Sequence, residues 1–139
     1  SAFFGGLAGN AGLFSTARDV ARVYQMLLNG GEIDGQRYLS KETCQLFTTE
    51  TSKISRRGLG FDKPDADDPK KGNCAPAAPA EVYGHTGFTG TCAWVDPVNE
   101  LVYVFLSNRI YPDVTNRKLN QLHIRERIQG AIYDAMKKK

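Results

Sequence analysis

The stretch that decides the fold is VYGHTGFTGTCAWVDPVNELVYVFLS, residues 82–107. Strand-like segments lie at residues 91–95 and 101–107, and residues 82–83 lead into another. The link DPVNE, residues 96–100, suits a tight hairpin because Pro follows Asp and an Asn lies close by. The stretch therefore predicts three strands, of which the last two form a hairpin.

The last of these strands is apolar on both faces over residues 101–106, LVYVFL. A strand of this kind is typical of a sheet that is covered on both sides. We therefore expect helices on both faces of this strand.

Helical periodicity precedes the strands. Thr16 is placed to cap a first helix, with Asp19 at the third helical position as in a capping box. Gly30 and Gly31 end it, because glycine adopts the left-handed conformation at low cost. A short turn is predicted at residues 32–35. The expected buried face of this helix consists of Val20, Val23, Tyr24, Leu27 and Leu28.

Two further helices are predicted. Ser40 caps the second helix, and the third runs from about Leu119 to Met136. Residues 58–61 predict a short extended piece, and residues 62–81, with four of the six prolines and no periodicity, predict a long loop. The expected apolar faces are Cys44, Leu46 and Phe47 in the second helix, and Leu119, Ile124, Ile128, Ala131, Ile132 and Ala135 in the third.

The order of elements is helix, helix, loop, three strands, helix, which predicts an α+β fold with an antiparallel sheet flanked by helices. A length of 139 residues fits one domain, residues 1–139. Hydrophobic residues make up 41% of the chain and charged residues 24%, which excludes disorder over its whole length. No apolar run approaches the roughly 20 residues that a membrane-spanning helix needs.

Charge and metal-ligating residues exclude several classes of partner. The net charge of +3 is too small to indicate nucleic-acid binding. The acidic cluster Asp65, Asp67 and Asp68 lacks the spacing of a calcium loop, so a solvated loop is the expected reading. His85 and His123 are far apart in sequence, and we expect neither a metal ion nor a cofactor.

The cysteines Cys44, Cys74 and Cys92 are odd in number and widely spaced. A disulfide framework is not expected from this arrangement, although a single bridge stays open.

The stretch GHTGFTGT, residues 84–91, carries the strongest chemical signal. Glycines that flank small hydroxyl residues at the end of a strand let a ligand approach the backbone closely. Backbone N–H groups there are suited to bind an oxyanion, and His85 is suited to carry a proton or donate a hydrogen bond. The alternative is a glycine-rich strand end with a packed histidine.

A nucleophile is harder to find. The sequence has no Gly-x-Ser-x-Gly elbow, and no serine is followed three residues later by lysine. No two carboxylates are singled out as an acid–base pair. From the residues alone, the chain has a candidate binding edge and no catalytic machinery.

Four segments of the sequence resemble a known family, which gives information that the spacing of residues does not. GNAGLFSTARD at residues 9–19, QMLLNGG at 25–31, the 84–91 stretch and LVYVFLSNR at 101–109 resemble segments of the serine β-lactamase-related superfamily. This superfamily contains penicillin-binding D-peptidases, class C-type lactamases and related esterases. The resemblance covers nearly the whole chain in the right order, but only the C-terminal part of the family's domain.

The resemblance implies a site. His85, Thr86 and Gly87 match the family's Lys/His-Thr-Gly motif, whose first residue contacts the substrate carboxylate or tunes the catalytic hydroxyls. The N–H of Phe88 would help to form the oxyanion hole. A histidine at the first position resembles the esterase and peptidase branches more than the lactamases. Tyr38-Leu39-Ser40 nominally fits the family's Tyr-x-Ser element, but Ser40 reads better as a helix cap.

The resemblance also implies what lies outside the chain. The family's Ser-x-x-Lys motif precedes these segments, so we expect a C-terminal fragment of a serine hydrolase that is inactive alone and depends on a missing N-terminal segment. The resemblance implies that such a protein cleaves a peptide or ester, with cell-wall peptide turnover as the expected setting, and that it is periplasmic or secreted. Residues 101–106 would lie on an open sheet edge and favour self-association. The alternative is a non-catalytic module that binds cell-wall peptide or a partner domain.

Overall fold

The computed structural model describes residues 3, 5, 6, 8, 9, 12–49, 54–68 and 72–137. It has the predicted α+β fold, in which a three-stranded antiparallel sheet of order β3-β4-β5 lies among helices. The elements are α1 (Ala17–Leu28), β1 (Glu32–Ile33), β2 (Gln36–Arg37), α2 (Lys41–Thr48), β3 (Tyr83–Thr86), β4 (Cys92–Asp96), β5 (Leu101–Phe105), α3 (Lys118–Gln121) and α4 (Ile124–Met136).

The ends of α1 are set by the predicted signals. The Thr16 hydroxyl oxygen accepts a hydrogen bond from the Asp19 N–H at 3.2 Å, and the Thr16 hydroxyl donates to the Asp19 carboxylate at 2.8 Å. After the helix, Gly30 and Gly31 have φ angles of +68° and +93°. A side chain at Gly31 would collide with the Leu39 carbonyl oxygen, so this stop needs glycine.

The predicted turn at residues 32–35 is a two-stranded hairpin, β1-β2. Asp34 and Gly35 both have positive φ angles, 52° and 75°, as the tight turns of two-residue hairpins require. The sequence prediction was incomplete here because each strand is only two residues long.

The central hairpin is confirmed. Asp96 pairs with Leu101 at the turn, and Cys92 pairs with Phe105 at the far end of β4 and β5. The Asp96 carboxylate accepts hydrogen bonds from the N–H groups of Val98 and Asn99 at 2.9 and 3.0 Å, which closes the turn. All five residues of β4 are buried, because it is the central strand.

One face of the sheet packs against α4. The core there consists of Cys74, Val82, Cys92, Trp94 and Tyr103, with Ile132 of α4 packed against it. The expectation of one helix over 119–136 is wrong, because His123 takes a left-handed conformation (φ 49°) and divides α3 from α4.

The expected apolar face of the last helix is only partly correct, because Ile132 packs against the core whereas Ala131 and Ala135 are exposed. Its buried residues are Arg125, Gln129 and Tyr133, whereas Ile128 is 38% exposed. The physical reason is hydrogen bonding: the Gln129 side-chain oxygen accepts from the Ala75 N–H at 2.8 Å, and the Tyr133 hydroxyl donates to Asp96 at 2.8 Å. These bonds orient the helix.

The opposite face of the sheet faces α1. Side chains alternate along a strand, so Tyr83 points away from Val82 and the α4 core. The ring of Phe61 contacts Tyr24 of α1 on one side and Tyr83 on the other, with centroid distances of 6.4 and 5.4 Å. The expected burial of α1 is only partly met, because the helix has no buried residue and Val23 is 55% exposed.

The second helix shows the same partial burial. Ser40 caps α2 as predicted, accepting from the Thr43 N–H at 3.1 Å. Cys44 is buried, but Leu46 and Phe47 are about half exposed, so the predicted apolar face is wrong for these two residues.

Strand β5 is the edge of the sheet and ends at Phe105 rather than at residue 107. Tyr103 is its only buried residue, and Leu106 beyond it is 43% exposed. Helices lie over both faces of this strand, α1 on one and α4 on the other, but its other four residues are only half-buried, so the expectation of full cover on both sides is met in part.

The long loop 62–81 has no helix or strand in the part that the structure describes. The extended piece expected at 58–61 is a bend, since Gly60 has a φ of +94°, and the pairing begins at Asp62. Cys44, Cys74 and Cys92 are buried free thiols, so the single bridge that the sequence left open is not formed. None of the helices within the described ranges is long and apolar enough to cross a membrane.

Candidate substrate-binding edge

Strand β3 carries the predicted motif at the edge of the sheet opposite β5. Gly84 pairs with Trp94 of β4, and a side chain at Gly84 would lie 2.1 Å from the Ala93 carbonyl oxygen. Only glycine allows the strands to approach this closely. This contact sets the path of β3 into the motif.

A tight turn follows β3. The Gly87 N–H donates to the Thr91 carbonyl at 2.8 Å, and the Gly90 N–H donates to the Gly87 carbonyl at 2.9 Å. Gly90 has a φ of +93°, and Gly87 leaves room for the Thr91 hydroxyl. The two glycines therefore shape the turn that presents the residues between them.

His85 is exposed, so the alternative of a packed histidine is wrong. Its Nδ1 lies 2.6 Å from the carbonyl oxygen of Thr86. Because a carbonyl only accepts hydrogen bonds, Nδ1 is the donor in this contact, and Nε2 is the ring nitrogen left for another partner. Thr86 and Gly87 are half-buried behind it.

Phe88 lies at the tip of the turn and is 71% exposed. Among the described residues, its backbone N–H has no hydrogen-bond acceptor. A backbone N–H without a protein acceptor is chemically able to donate to an anion or to a polar ligand.

Arg109 is a residue of this edge to which the sequence assigned no role. Its guanidinium carbon lies 5.0 Å from the centre of the Phe88 ring, a cation–π contact. Its N–H donates to the Thr89 carbonyl at 2.9 Å, and the Ser107 hydroxyl donates to the same carbonyl at 3.1 Å. No acidic side chain in the described part of the chain pairs with Arg109, so a positive charge lies beside the turn.

The nominal Tyr-x-Ser element is engaged elsewhere. Tyr38 is 58% exposed and donates its hydroxyl to the Gln36 side chain at 3.0 Å. Since Ser40 caps α2, the interpretation of this serine as a cap is confirmed.

The acidic cluster forms a turn. One carboxylate oxygen of Asp65 accepts from the N–H groups of Asp67 and Asp68 at 3.1 and 3.0 Å. Within the ranges that the structure describes, no three His, Cys, Asp or Glu side chains are grouped so as to hold a metal ion.

A cavity of about 840 Å³ lies beside the start of β3, and its lining includes Leu27, Lys41, Cys44, Lys63 and Tyr83. It does not include residues 85–88. The volume of this cavity therefore does not locate the candidate site, because residues 85–88 lie at an edge of the sheet and not in the cavity.

Comparison with known proteins decides the family. Residues 2–126 match the family model described as Beta-lactamase. The chain belongs to the beta-lactamase family. The resemblance to the serine β-lactamase-related superfamily is thereby confirmed.

Individual relatives of this beta-lactamase-family chain agree. A putative D-alanyl-D-alanine carboxypeptidase of Escherichia coli O157:H7 is 37% identical over 116 residues, covering 84% of this chain and 26% of the relative. One of Salmonella agona is 36% identical and is covered over 27% of its length. The chain thus spans about a quarter of the curated relatives that it matches.

A solved structure is also similar. It is a penicillin-binding protein homolog from Caulobacter crescentus, 26% identical, with a TM-score of 0.51. The match covers 64% of this chain and 24% of that one.

Proposed function

We propose that this chain, as a single domain, is the C-terminal part of a serine hydrolase that cleaves an amide or ester through an acyl-enzyme. His85, Thr86, Gly87 and Phe88 would form one wall of its active site. The observation that carries the proposal is the exposed Phe88 N–H, which has no acceptor among the described residues, beside an exposed His85. The nucleophile would come from a segment outside these 139 residues, because no Ser-x-x-Lys is present in them.

In the proposed reaction, the serine oxygen of that segment adds to the substrate carbonyl while its proton passes to a base of the same segment. The carbonyl oxygen takes the negative charge, and the Phe88 N–H donates to it. The bond to the leaving group then breaks and the leaving group takes up the proton. Water hydrolyses the acyl-serine in a second step. Nε2 of His85 would hold a polar group of the substrate or accept a hydrogen bond from a catalytic hydroxyl.

The names of the relatives support one substrate class. The proteins from Escherichia coli and Salmonella carry the name of putative D-alanyl-D-alanine carboxypeptidases. We therefore propose a peptide of the bacterial cell wall as the amide substrate, with simple esters as surrogates. The role requires no cofactor.

The test compares Phe88→Pro with Phe88→Ala in the longest form of the protein that contains this chain. Proline removes the N–H, whereas alanine keeps it and removes the ring. We expect F88P to lower kcat for a p-nitrophenyl ester about 10²–10³-fold and F88A to have a much smaller effect. Equal losses in the two variants would contradict the oxyanion role of this N–H.

A second experiment separates hydrolase from binding module. We expect the 139-residue chain alone to show neither nitrocefin turnover nor labelling by a fluorophosphonate probe, and the longer protein to be labelled on serine. The lack of Ser-x-x-Lys favours the non-catalytic alternative equally. Binding of cell-wall peptide without labelling in the longer protein would establish that alternative. Labelling of the 139 residues alone would contradict the proposed missing nucleophile.

We also propose that β5 pairs with another strand. It is an edge strand with apolar residues 101–106, and such edges recruit strands. The partner would be another segment of the same protein or, in the isolated chain, a second copy. Size-exclusion with light scattering tests this, and a clean monomer at high concentration would contradict pairing between copies.

A further inference from the structure

The carboxylate of Asp62 is 1% exposed and almost fully occupied by hydrogen bonds. Arg56 binds it with two nitrogens, Nε to Oδ1 at 2.9 Å and Nη2 to Oδ2 at 3.1 Å. The Asn73 amide donates to Oδ2 at 2.8 Å, and the Lys63 N–H donates to Oδ1 at 3.0 Å. The two oxygens thus accept four hydrogen bonds from the loop around them.

This arrangement keeps Asp62 ionised. Burial opposes the charged form, but the hydrogen bonds from Asn73 and Arg56 and the guanidinium charge outweigh it, so the pKa of Asp62 lies below its ordinary value. A buried carboxylate persists only when it is paired and hydrogen-bonded in this way. Loops normally keep their charges in water, so a buried ion pair in this loop calls for a reason.

The backbone of Asp62 supplies that reason. Its N–H donates to the Gly84 carbonyl at 2.7 Å, and its carbonyl accepts from the Gly84 N–H at 3.0 Å. Gly84 directly precedes His85 in β3. Asp62 is therefore the outer neighbour of the motif strand, and the described part of the loop meets that strand at this one residue pair.

The next residue, Lys63, also holds the chain close to the start of β3. The Lys63 ammonium donates to the carbonyl oxygens of Thr48, Glu81 and Val82 at 3.2, 3.3 and 3.4 Å. The last two carbonyls lie just before β3. Asp62 and Lys63 together fix the chain where it enters the motif.

We propose that Asp62 is a positioning residue for the substrate edge. Its carboxylate, held by Arg56 and Asn73, fixes the Asp62–Gly84 pair, and the pair sets the angle at which β3 presents His85 and the Phe88 N–H. Asp62 itself touches no substrate. This inference rests on the proposed hydrolase function for its catalytic readout but not for its structural readout.

The test is Asp62→Asn, which keeps the shape of the side chain and removes its charge. The matched control is Asp67→Asn, the same change at an exposed position of the same loop. Hydrogen exchange at the Gly84 amide reports on the pair directly. We expect D62N to raise that exchange rate more than tenfold while the amides of β4 keep their protection, because opening of one residue pair is local.

Kinetics in the longest form of the protein give the second readout. We expect D62N to lower kcat about 10- to 100-fold with little change in KM, since small displacements of catalytic groups have effects of this size. D67N should match the wild type in both measurements. Arg56→Lys, which keeps the charge but loses the two-nitrogen geometry, should lower kcat and raise Gly84 exchange in the same direction as D62N but by less.

The outcomes separate the two ideas. If D62N leaves Gly84 exchange and kcat at the D67N values, the positioning role is overturned. If D62N raises hydrogen exchange in β4 as much as at Gly84, and kcat per folded molecule is unchanged, Asp62 contributes only to general stability. The inference then also fails. If the wild-type protein turns over no substrate, the proposed function fails, and Gly84 exchange still decides the inference. Asn73→Ala, which removes one hydrogen bond, gives the same test should D62N not fold.

Discussion

The two faces of the β3–β4–β5 sheet are covered in different ways. On the face of Trp94 and Tyr103, α4 docks through buried polar side chains, and Trp94 is 1% exposed. On the face of Tyr83, α1 has no buried residue, and its Val23 is 55% exposed. Hydrogen bonds to distant parts of the chain therefore fix one helix, whereas half-buried apolar contacts hold the other.

The largest effect is expected on the α4 face. Trp94→Ala removes the largest side chain of the core and leaves a cavity, so we expect the free energy of unfolding to fall by about 3–5 kcal/mol. Urea unfolding of the chain measures it. A loss below about 1 kcal/mol would mean that this face is as loosely packed as the other.

A smaller effect is expected from the hydrogen bond that orients α4. Tyr133→Phe removes the hydroxyl that donates to Asp96 at 2.8 Å in a buried setting. We expect a loss of about 1–3 kcal/mol, because the buried carboxylate loses one donor. Tyr38→Phe is the control, since that hydroxyl is exposed and should contribute at most about 0.5 kcal/mol. Equal effects would remove the distinction between the faces.

Acid should weaken the hydrogen bonds that hold the buried Asp62 carboxylate. The folded pKa of Asp62 is lowered from the ordinary 3.8, so its contribution is fully present above that value and is lost as the pH falls through the lower, folded pKa. Uptake of one proton changes the free energy of unfolding by at most about 1.4 kcal/mol per pH unit in this window. The free energy of unfolding, measured by denaturant titrations at several pH values below 4, should therefore fall more steeply with decreasing pH in D67N than in D62N. Parallel curves would contradict an ionised Asp62.

The smallest effect is expected on the α1 face. Val23→Ala removes a side chain that is more than half exposed, and alanine favours helix more than valine does. We expect a change within about 0.5 kcal/mol in either direction. The same urea experiment tests it, with Val95→Ala at a fully buried site of β4 as the matched comparison. A large loss for V23A would show that α1 is held more tightly than its exposure indicates.

Local signals in the sequence were sufficient to predict where several helices and turns begin or end. The Thr16–Asp19 cap, the Gly30–Gly31 stop and the Asp96 turn involve atoms at most five residues apart, and each is present. The motif at residues 85–88 was likewise recognisable, because its glycines and hydroxyl residues are contiguous. What the structure adds there is the exposure of His85 and Phe88.

The sequence prediction failed where a residue's contacts depend on partners far along the chain. Gln129 bonds to Ala75, 54 residues earlier in the chain, and this contact puts a polar residue on the buried face of α4. Asp62 looked like one more charge in a solvated loop, and Arg109 like the end of a strand. Neither the Asp62–Gly84 pairing nor the contact between Arg109 and Phe88 leaves a pattern that periodicity detects.

The sequence by itself determined the fold class, several caps and turns, the family and the position of the Gly-His-Thr-Gly motif. These depend on neighbouring residues, whose hydrogen bonds form wherever the chain lies. Only the tertiary structure decided which face of α4 is buried, how α1 rests on the sheet and which carboxylate is ionised in the interior. Those outcomes depend on burial and on partners far along the chain, which exist only once the strands and helices are assembled.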